Sequence, residues 1–387
     1  MYKIPYARQS ISELDIEAVI EVLKSDWLTQ GPTIPRFEQV VADYCGVRYA
    51  VAISSATAGL HIATLAAGLQ PNDWVWTSPN TFVASANCAL YSGAKVDFVD
   101  IDPQTYNLDV EKLAAKLERA NTTGSLPKIV IPVHFAGQSC PMEPIAKLAQ
   151  KYGFQVIEDA SHALGGFYQN QPVGSCRYSD MAVFSFHPVK MITTGEGGMV
   201  LTNHFDLYEK LIRLRTHGIT RNPELLTIKD PPPWYYEQLE LGYNYRMTDI
   251  QAALGISQMQ RLHEFVERRQ KLAQRYDELL RDLPLILPKQ LPQSKSSWHL
   301  YVVRLRLNEI KKSHRQVFAE LREANIGVNL HYIPVHIQPY YQKLGFKWGD
   351  FPEAEKYYGE ALTLPLYYEL REEEQDEIIH VLRNSLF

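Results

Sequence analysis

Seven short runs between Tyr49 and Asn203 decide the fold: YAVAIS at 49–54, WVWTS at 74–78, VDFVDI at 96–101, KIVIPV at 128–133, QVIEDA at 155–160, MAVFSF at 181–186 and GMVLTN at 198–203. Each is rich in β-branched or aromatic residues, and most of the intervals between them carry amphipathic patterns of helix length. Strands that are covered by helices on both faces read as continuous apolar runs of this kind. The alternation predicts an α/β fold with a largely parallel sheet. Outward from it, Thr248 to about Leu283 is charged, periodic and free of internal proline, which predicts a long helix or a helix pair. Beyond Pro284, the run HLYVVRLRL at 299–307, a helix from Ser313 to Ala324 and a proline-dotted tail predict a smaller α+β domain. The expected division is residues 1–262 and 263–387. The proline-stiffened KDPPPWYY at 229–236 reads either as a surface loop or as an arm reaching a neighbouring subunit.

Composition narrows the partners. The chain has 387 residues, 45% of them hydrophobic and 21% charged, enough to bury two cores and too apolar for disorder. Lys and Arg number 39 against 44 Asp and Glu, a net charge of −5 with no block of either sign, so neither nucleic acid nor an anionic membrane is the expected partner. Cys45, Cys88, Cys140 and Cys176 lie far apart with no C-x-x-C pair, which fits buried reduced thiols better than a zinc site or a disulfide frame. The N-terminal residues contain no apolar stretch of signal-peptide length, and a cytoplasmic protein is expected. Between Arg48 and Lys95 only Asp73 is charged, but Ser54, Thr57, Pro79, Asn80 and Asn87 make the stretch too polar and broken for a membrane span.

Three windows carry chemistry. In VFSFHPVKMITTGEGGMVLT at 183–202, Lys190 follows an apolar strand and a proline and precedes a glycine-rich turn. At such a junction a lysine loses hydration, its pKa falls, and it suits Schiff-base chemistry; a surface lysine beside a turn is the plainer alternative. In VIEDASHALG at 156–165, Asp159 stands at the carboxyl end of a strand, where parallel sheets place ligands, with His162 close by. A carboxylate there could pair with a protonated pyridine nitrogen, or it could simply cap a helix. In SSATAG at 54–59, a hydroxyl-rich turn leads into a helix starting near Thr57, whose backbone N–H groups could seat a phosphate. No G-x-G-x-x-G occurs and the His and Cys residues lack ligand spacing, which disfavours nicotinamide and zinc enzymes.

In chain order, LTQGP (28–32), SSATAGLH (54–61), TFVASAN (81–87), EDASHALG (158–165), SFHPVK with TTGEGG (185–198), RTHG (215–218) and GYNYRMTDIQAALG (242–255) resemble the DegT family of pyridoxal phosphate-dependent nucleotide-sugar aminotransferases, along essentially the whole chain. The resemblance implies the aspartate aminotransferase type I fold, with a seven-stranded, mostly parallel sheet in a large domain and a smaller α+β C-terminal domain. It implies pyridoxal 5′-phosphate as cofactor, Lys190 as its Schiff-base lysine, Asp159 as partner of the ring nitrogen and His162 near the phenolic oxygen. Phe82 would stack on the ring, and Ala56, Thr57 and Ser185 would hold the phosphate. Asn244 would reach the cofactor phosphate of the other subunit in a homodimer with shared sites. The implied substrate pocket draws on Tyr6, on Asp26, Trp27, Leu28 and Thr29, and on Asn329, Leu330, His331 and Tyr332.

The implied substrates are glutamate and a UDP-linked 4-keto-6-deoxy-N-acetylhexose of the pseudaminic acid type. His162 and Thr193–Gly198 follow the pattern of family members that aminate C4, while Met191 and Gly195 stand where the pseudaminic acid type implies proline and alanine. A dTDP- or GDP-linked sugar, or amination at C3, is the alternative within the family. The dehydratase branch carries histidine where this chain has Lys190, and a regulatory paralogue would have no need of the Lys190, Asp159 and Ser185 set.

Overall fold

Each of the seven runs forms a strand in the computed structural model, which describes residues 2–387. They are β1 (Tyr49–Ile53), β2 (Trp74–Thr77), β3 (Lys95–Phe98), β4 (Ile129–Ile131), β5 (Gln155–Asp159), β6 (Met181–Ser185) and β7 (Gly198–Thr202). They form one sheet in the order β1-β7-β6-β5-β4-β2-β3. Strands β6, β5, β4, β2 and β3 run parallel, and β7 alone runs antiparallel, between β6 and β1. This is the mostly parallel sheet expected of a type I fold.

Alternation along the strands explains why helices cover both faces. Val51, Ile53, Val183 and Val200 pack on one side with Leu60, Ile62, Cys88, Leu211 and Leu214. Their neighbours Ala50, Ala52, Ala182, Phe184, Met199 and Leu201 pack on the other side with Phe37, Val41 and Ala252. The first layer comes from helices at Ala56–Ala66, Ala84–Tyr91 and Phe205–Arg215, the second from helices at Thr33–Cys45 and Asp249–Gln260. The uncharged stretch that invites a membrane reading thus holds β1, β2 and two interior helices, and among the described residues no helix is long and apolar enough to cross a membrane. All four cysteines are buried and free.

The helical region from Thr248 onward is a pair, Asp249–Gln260 and Leu262–Leu280. The first is anchored by the buried Asp249, whose carboxylate accepts the Gly31 and Thr33 N–H groups at 2.8 and 2.9 Å, pinning the N-terminal LTQGP segment to the sheet layer. The second enters another core with Leu272, Tyr276 and Leu280. That core surrounds a three-stranded antiparallel sheet, in which β9 (Tyr301–Leu305) lies between β8 (Leu285–Ile286) and β10 (Ala361–Leu364). The predicted helix at Ser313–Ala324 is observed at His314–Glu323, with Ser313 capping it. The small antiparallel sheet joining Phe167–Tyr168, Gln171–Pro172 and Ser294–Lys295 has no counterpart in the sequence reading, because two-residue strands carry no periodicity. In the KDPPPWYY stretch, Trp234 is 77% exposed, and the segment forms an outer loop.

Two glycines let the sheet meet its helices at the end that matters for function. Gly195 turns the chain at φ +78°, a left-handed conformation, between β6 and β7. A Cβ on Gly198 would sit 2.7 Å from the Ala56 nitrogen and 2.9 Å from the Phe184 oxygen, both backbone atoms that cannot yield cheaply. Gly198→Ala should therefore cost about 1–3 kcal/mol of stability through overpacking. A lowered thermal unfolding midpoint checks this, and an unchanged midpoint contradicts the close approach.

Candidate active site

The carboxyl ends of β5 and β6 and the amino end of the Ala56–Ala66 helix converge on a cavity of about 500 Å³. Its floor is Asp159, His162, Ser185 and Lys190, its side is Ser55, Ala56, Thr57, Thr81 and Phe82, and its far wall is Tyr6, His299 and Asn329–Tyr332. Such a position follows from the topology: loops at the carboxyl ends of parallel strands face outward from the sheet and are free to vary.

Lys190 is delivered by the loop that leaves β6. Thr194 donates its N–H to the Phe186 carbonyl at 3.0 Å, Thr193 donates its hydroxyl to the same oxygen at 3.1 Å, and the Lys190 N–H reaches the His187 carbonyl at 2.9 Å. The side chain faces the cavity and so is only partly buried by surface area, but protein surrounds it closely. Loss of hydration pulls its pKa down to about 8, against the opposing pull of Asp159. At pH 7 that leaves about one amine in ten neutral, whereas a solvated lysine has well under one in a thousand. A neutral amine is the nucleophilic and proton-accepting form.

Asp159 is buried, with both oxygens engaged: Ser85 donates its hydroxyl at 2.6 Å and Ser161 its backbone N–H at 3.1 Å. His162 accepts the Ala136 N–H at Nδ1 over 3.3 Å, which leaves Nε2 to carry the proton and donate to the Tyr332 hydroxyl at 3.0 Å. The phenol proton of Tyr332 is then free to point into the cavity. Burial, then the nearby Lys190, holds His162 well below its ordinary pKa and pushes His331 down to about 3. His299, whose ring centroid is 4.4 Å from that of His162, is held down by burial and by His162. All three rings are neutral near pH 7, which leaves Lys190, Asp159 and Glu196 as the Lys and carboxylate side chains lining the cavity.

Several expected residues come together here: Tyr6, Ala56, Thr57, Phe82, Asp159, His162, Ser185, Lys190 and Asn329 to Tyr332 all line the cavity. Asp26, Trp27, Leu28, Thr29 and Asn244 do not line it, and all five are solvent-exposed on this chain. The chain brings in further groups that sequence reasoning did not assign to the site: Thr81, His299, Glu196 and, behind Asp159, Ser85. Thr81 and Ser85 lie inside the quoted TFVASAN and His299 at the head of the quoted HLYVVRLRL, so the segments were noticed but the side-chain directions were not legible.

The depressed pKa of Lys190 has a consequence for the cofactor-free protein. Between about pH 8 and the ordinary 10.5, an unfolded chain still binds the lysine proton and the folded chain does not, so this group makes stability rise with pH across that window. Comparing chemical unfolding of the wild type with Lys190→Met at pH 7 and pH 10 isolates the contribution. The variant should lose that pH-dependent gain, and identical pH slopes would contradict it.

Comparison with known proteins accords with this geometry. The chain is 40% identical over 384 residues to the spore coat polysaccharide biosynthesis protein SpsC of Bacillus subtilis, covering 98% of this chain and 96% of that one. It is 38% identical over 370 residues to a UDP-4-amino-4,6-dideoxy-N-acetyl-beta-L-altrosamine transaminase of Campylobacter jejuni, covering 95% and 93%. A Streptococcus pneumoniae protein assigned as a sugar aminotransferase superposes in its PMP form with a TM-score of 0.90 at 29% identity, covering 99% of both chains, and its PLP form superposes with a TM-score of 0.88. Residues 9–383 match the DegT/DnrJ/EryC1/StrS aminotransferase family, and the chain belongs to that family of pyridoxal phosphate-dependent transaminases.

Proposed function

We propose that this protein moves an amino group from glutamate to C4 of a UDP-linked 4-keto-6-deoxy-N-acetylhexose. The observation that carries the reading is the partly buried Lys190 facing a cavity with Asp159 on its floor and Tyr6 and Asn329–Tyr332 on its far wall. The Campylobacter relative, named for an altrosamine transamination, supports the sugar. The Bacillus relative, slightly more similar and named for a spore coat polysaccharide, favours a second reading: a nucleotide-linked keto sugar with another hydroxyl pattern.

The residues present fit pyridoxal phosphate. The first N–H groups of the Ala56–Ala66 helix have no partners within the helix, and the bare Gly198 leaves the Ala56 nitrogen uncrowded. Ala56, Thr57 and Ser185 would hold the phosphate there, at the positive end of the helix dipole. Phe82, 57% exposed toward the cavity, would stack on the ring, Asp159 would pair with the ring nitrogen and His162 would sit by the phenolic oxygen. When bound, the cofactor supplies an electron sink for the pair left on the donor's α carbon.

Lys190 has two tasks in this reading. Its amine would hold the cofactor covalently and, when free of it, would be placed to move a proton between the donor's α carbon and the cofactor's C4′. With the sugar the same amine would move a proton in the reverse sense, toward C4 of the sugar. Asp159, fixed by two donors, would face the ring nitrogen. Tyr332, held by His162, presents its hydroxyl to the sugar side, and His331, fixed by Thr363 at 2.9 Å, stands next to it.

Assembly and location belong to the same reading. Asn244 and residues 26–29 are exposed on this chain, which supports a homodimer in which they complete the partner's site. The passage from the Asp249–Gln260 helix to the Leu262–Leu280 helix supports a division near residue 262 into large and small domains. Four free buried cysteines support a reducing compartment such as the cytoplasm.

The test is product analysis across a panel of UDP- and dTDP-linked 4-keto-6-deoxy sugars, with glutamate as donor and the folded Lys190→Ala protein as control. The reading expects wild-type turnover with UDP-N-acetyl sugars, a C4 carbon shifted upfield of a carbinol in the NMR spectrum, and no turnover by the variant. Amination at C3, or reaction with dTDP sugars alone, overturns the substrate. Steady-state turnover by Lys190→Ala overturns the lysine's role.

A further inference from the structure

The turn that carries Phe82 also carries two buried hydroxyls, Ser85, which donates to Asp159, and Thr81 behind it. Thr81 and Ser85 stand four residues apart, 2% and 0% exposed. The Ser85 oxygen lies 2.6 Å from Asp159 Oδ2 and 2.7 Å from Thr81 Oγ1, with the Phe82 carbonyl at a more distant 3.4 Å.

Proton counting fixes the direction of this chain. A carboxylate only accepts, so the single Ser85 proton is committed to Asp159 at the shorter distance. The Ser85 oxygen is then left to accept, and Thr81 must donate to it. Ser85 is not needed to cap its own helix, since the Ala84–Tyr91 helix has Val83 at its N-cap and no side-chain cap. The two hydroxyls therefore act in series toward one carboxylate oxygen, a charge-assisted arrangement in which each bond polarises the next. The other oxygen is held by the Ser161 N–H, so the plane of the carboxylate is fixed from two directions.

We propose that Ser85, with Thr81 behind it, is a positioning residue for Asp159: the pair locks the carboxylate in the orientation that meets the cofactor's ring nitrogen. The proposal rests on the assignment of Asp159 to that nitrogen. It also couples two contacts to one turn, because the segment that fixes Asp159 presents Phe82 to the cavity.

The experiment measures the affinity of the cofactor-free protein for pyridoxal phosphate by absorbance titration, together with kcat and KM, for Asp159→Ala, Ser85→Ala, Ser85→Thr, Thr81→Val and the Ser85→Ala/Thr81→Val double variant. Losing a charge-assisted hydroxyl donor should weaken cofactor binding about tenfold in Ser85→Ala and about threefold in Thr81→Val, lowering kcat with little change in KM for either substrate. Ser85→Thr, which keeps the hydroxyl, should recover most of the affinity, and the double variant should be no worse than Ser85→Ala, because Thr81 acts through Ser85. Thermal melting identifies any variant that fails to fold, and if Ser85→Ala is one, Thr81→Val and Ser85→Thr carry the test. Wild-type affinity and kcat in Ser85→Ala or Thr81→Val, or fully additive losses in the double variant, overturn the proposal. Wild-type cofactor affinity in Asp159→Ala would instead overturn the assignment of Asp159 itself.

Discussion

A single amine taken out of water, Lys190 on the loop that follows β6, is the constraint around which the rest of the molecule is arranged. Left in solvent it would be an ordinary cation; surrounded by protein, its pKa falls to about 8 even with Asp159 pulling the other way. Around it stand the carboxyl end of the interior strand β6, the loop bonded back to Phe186, and a helix approaching β7 closely enough that Gly198 cannot carry a side chain. Desolvation costs stability, and the sheet and its two flanking cores supply the rigidity that offsets it.

The second feature is the electrical quiet of the surroundings. His162, His299 and His331 would add positive charge if protonated, and burial keeps each of them neutral. Their value is directional. With its Nδ1 occupied by the Ala136 N–H, His162 can only donate from Nε2, which orients the Tyr332 hydroxyl. The wall that holds Tyr332 and His331 comes from the region beyond the Leu262–Leu280 helix, whereas Lys190, Asp159 and Ser185 come from the sheet. The cavity thus depends on how two separately built cores meet, a common place for ligand sites.

Much of this was legible in the sequence because the chemistry sits on strongly patterned elements. The seven strands read as apolar runs since they are buried on both faces, and Lys190 and Asp159 were marked by standing where such runs end. The helix after Ser55 was marked by the hydroxyl-rich turn that precedes it, and in the structure both it and the helix after Ser313 are capped by those serines. Sheet order was not legible, because the antiparallel insertion of β7 between β1 and β6 arises from long-range pairing. Ser85 and His299 were not legible as site residues for a related reason: a serine in the first turn of an apolar helix and a histidine before a strand acquire meaning only from what packs against them.

The most direct test of the account is to trap the cofactor where it is held. The protein is loaded with pyridoxal phosphate, reduced with borohydride, digested and analysed by peptide mass spectrometry. The account predicts a stable pyridoxyl label at Lys190, with loss of the label when glutamate is added before the reduction. A label on another lysine, or none at Lys190 in protein that has bound the cofactor, would contradict it.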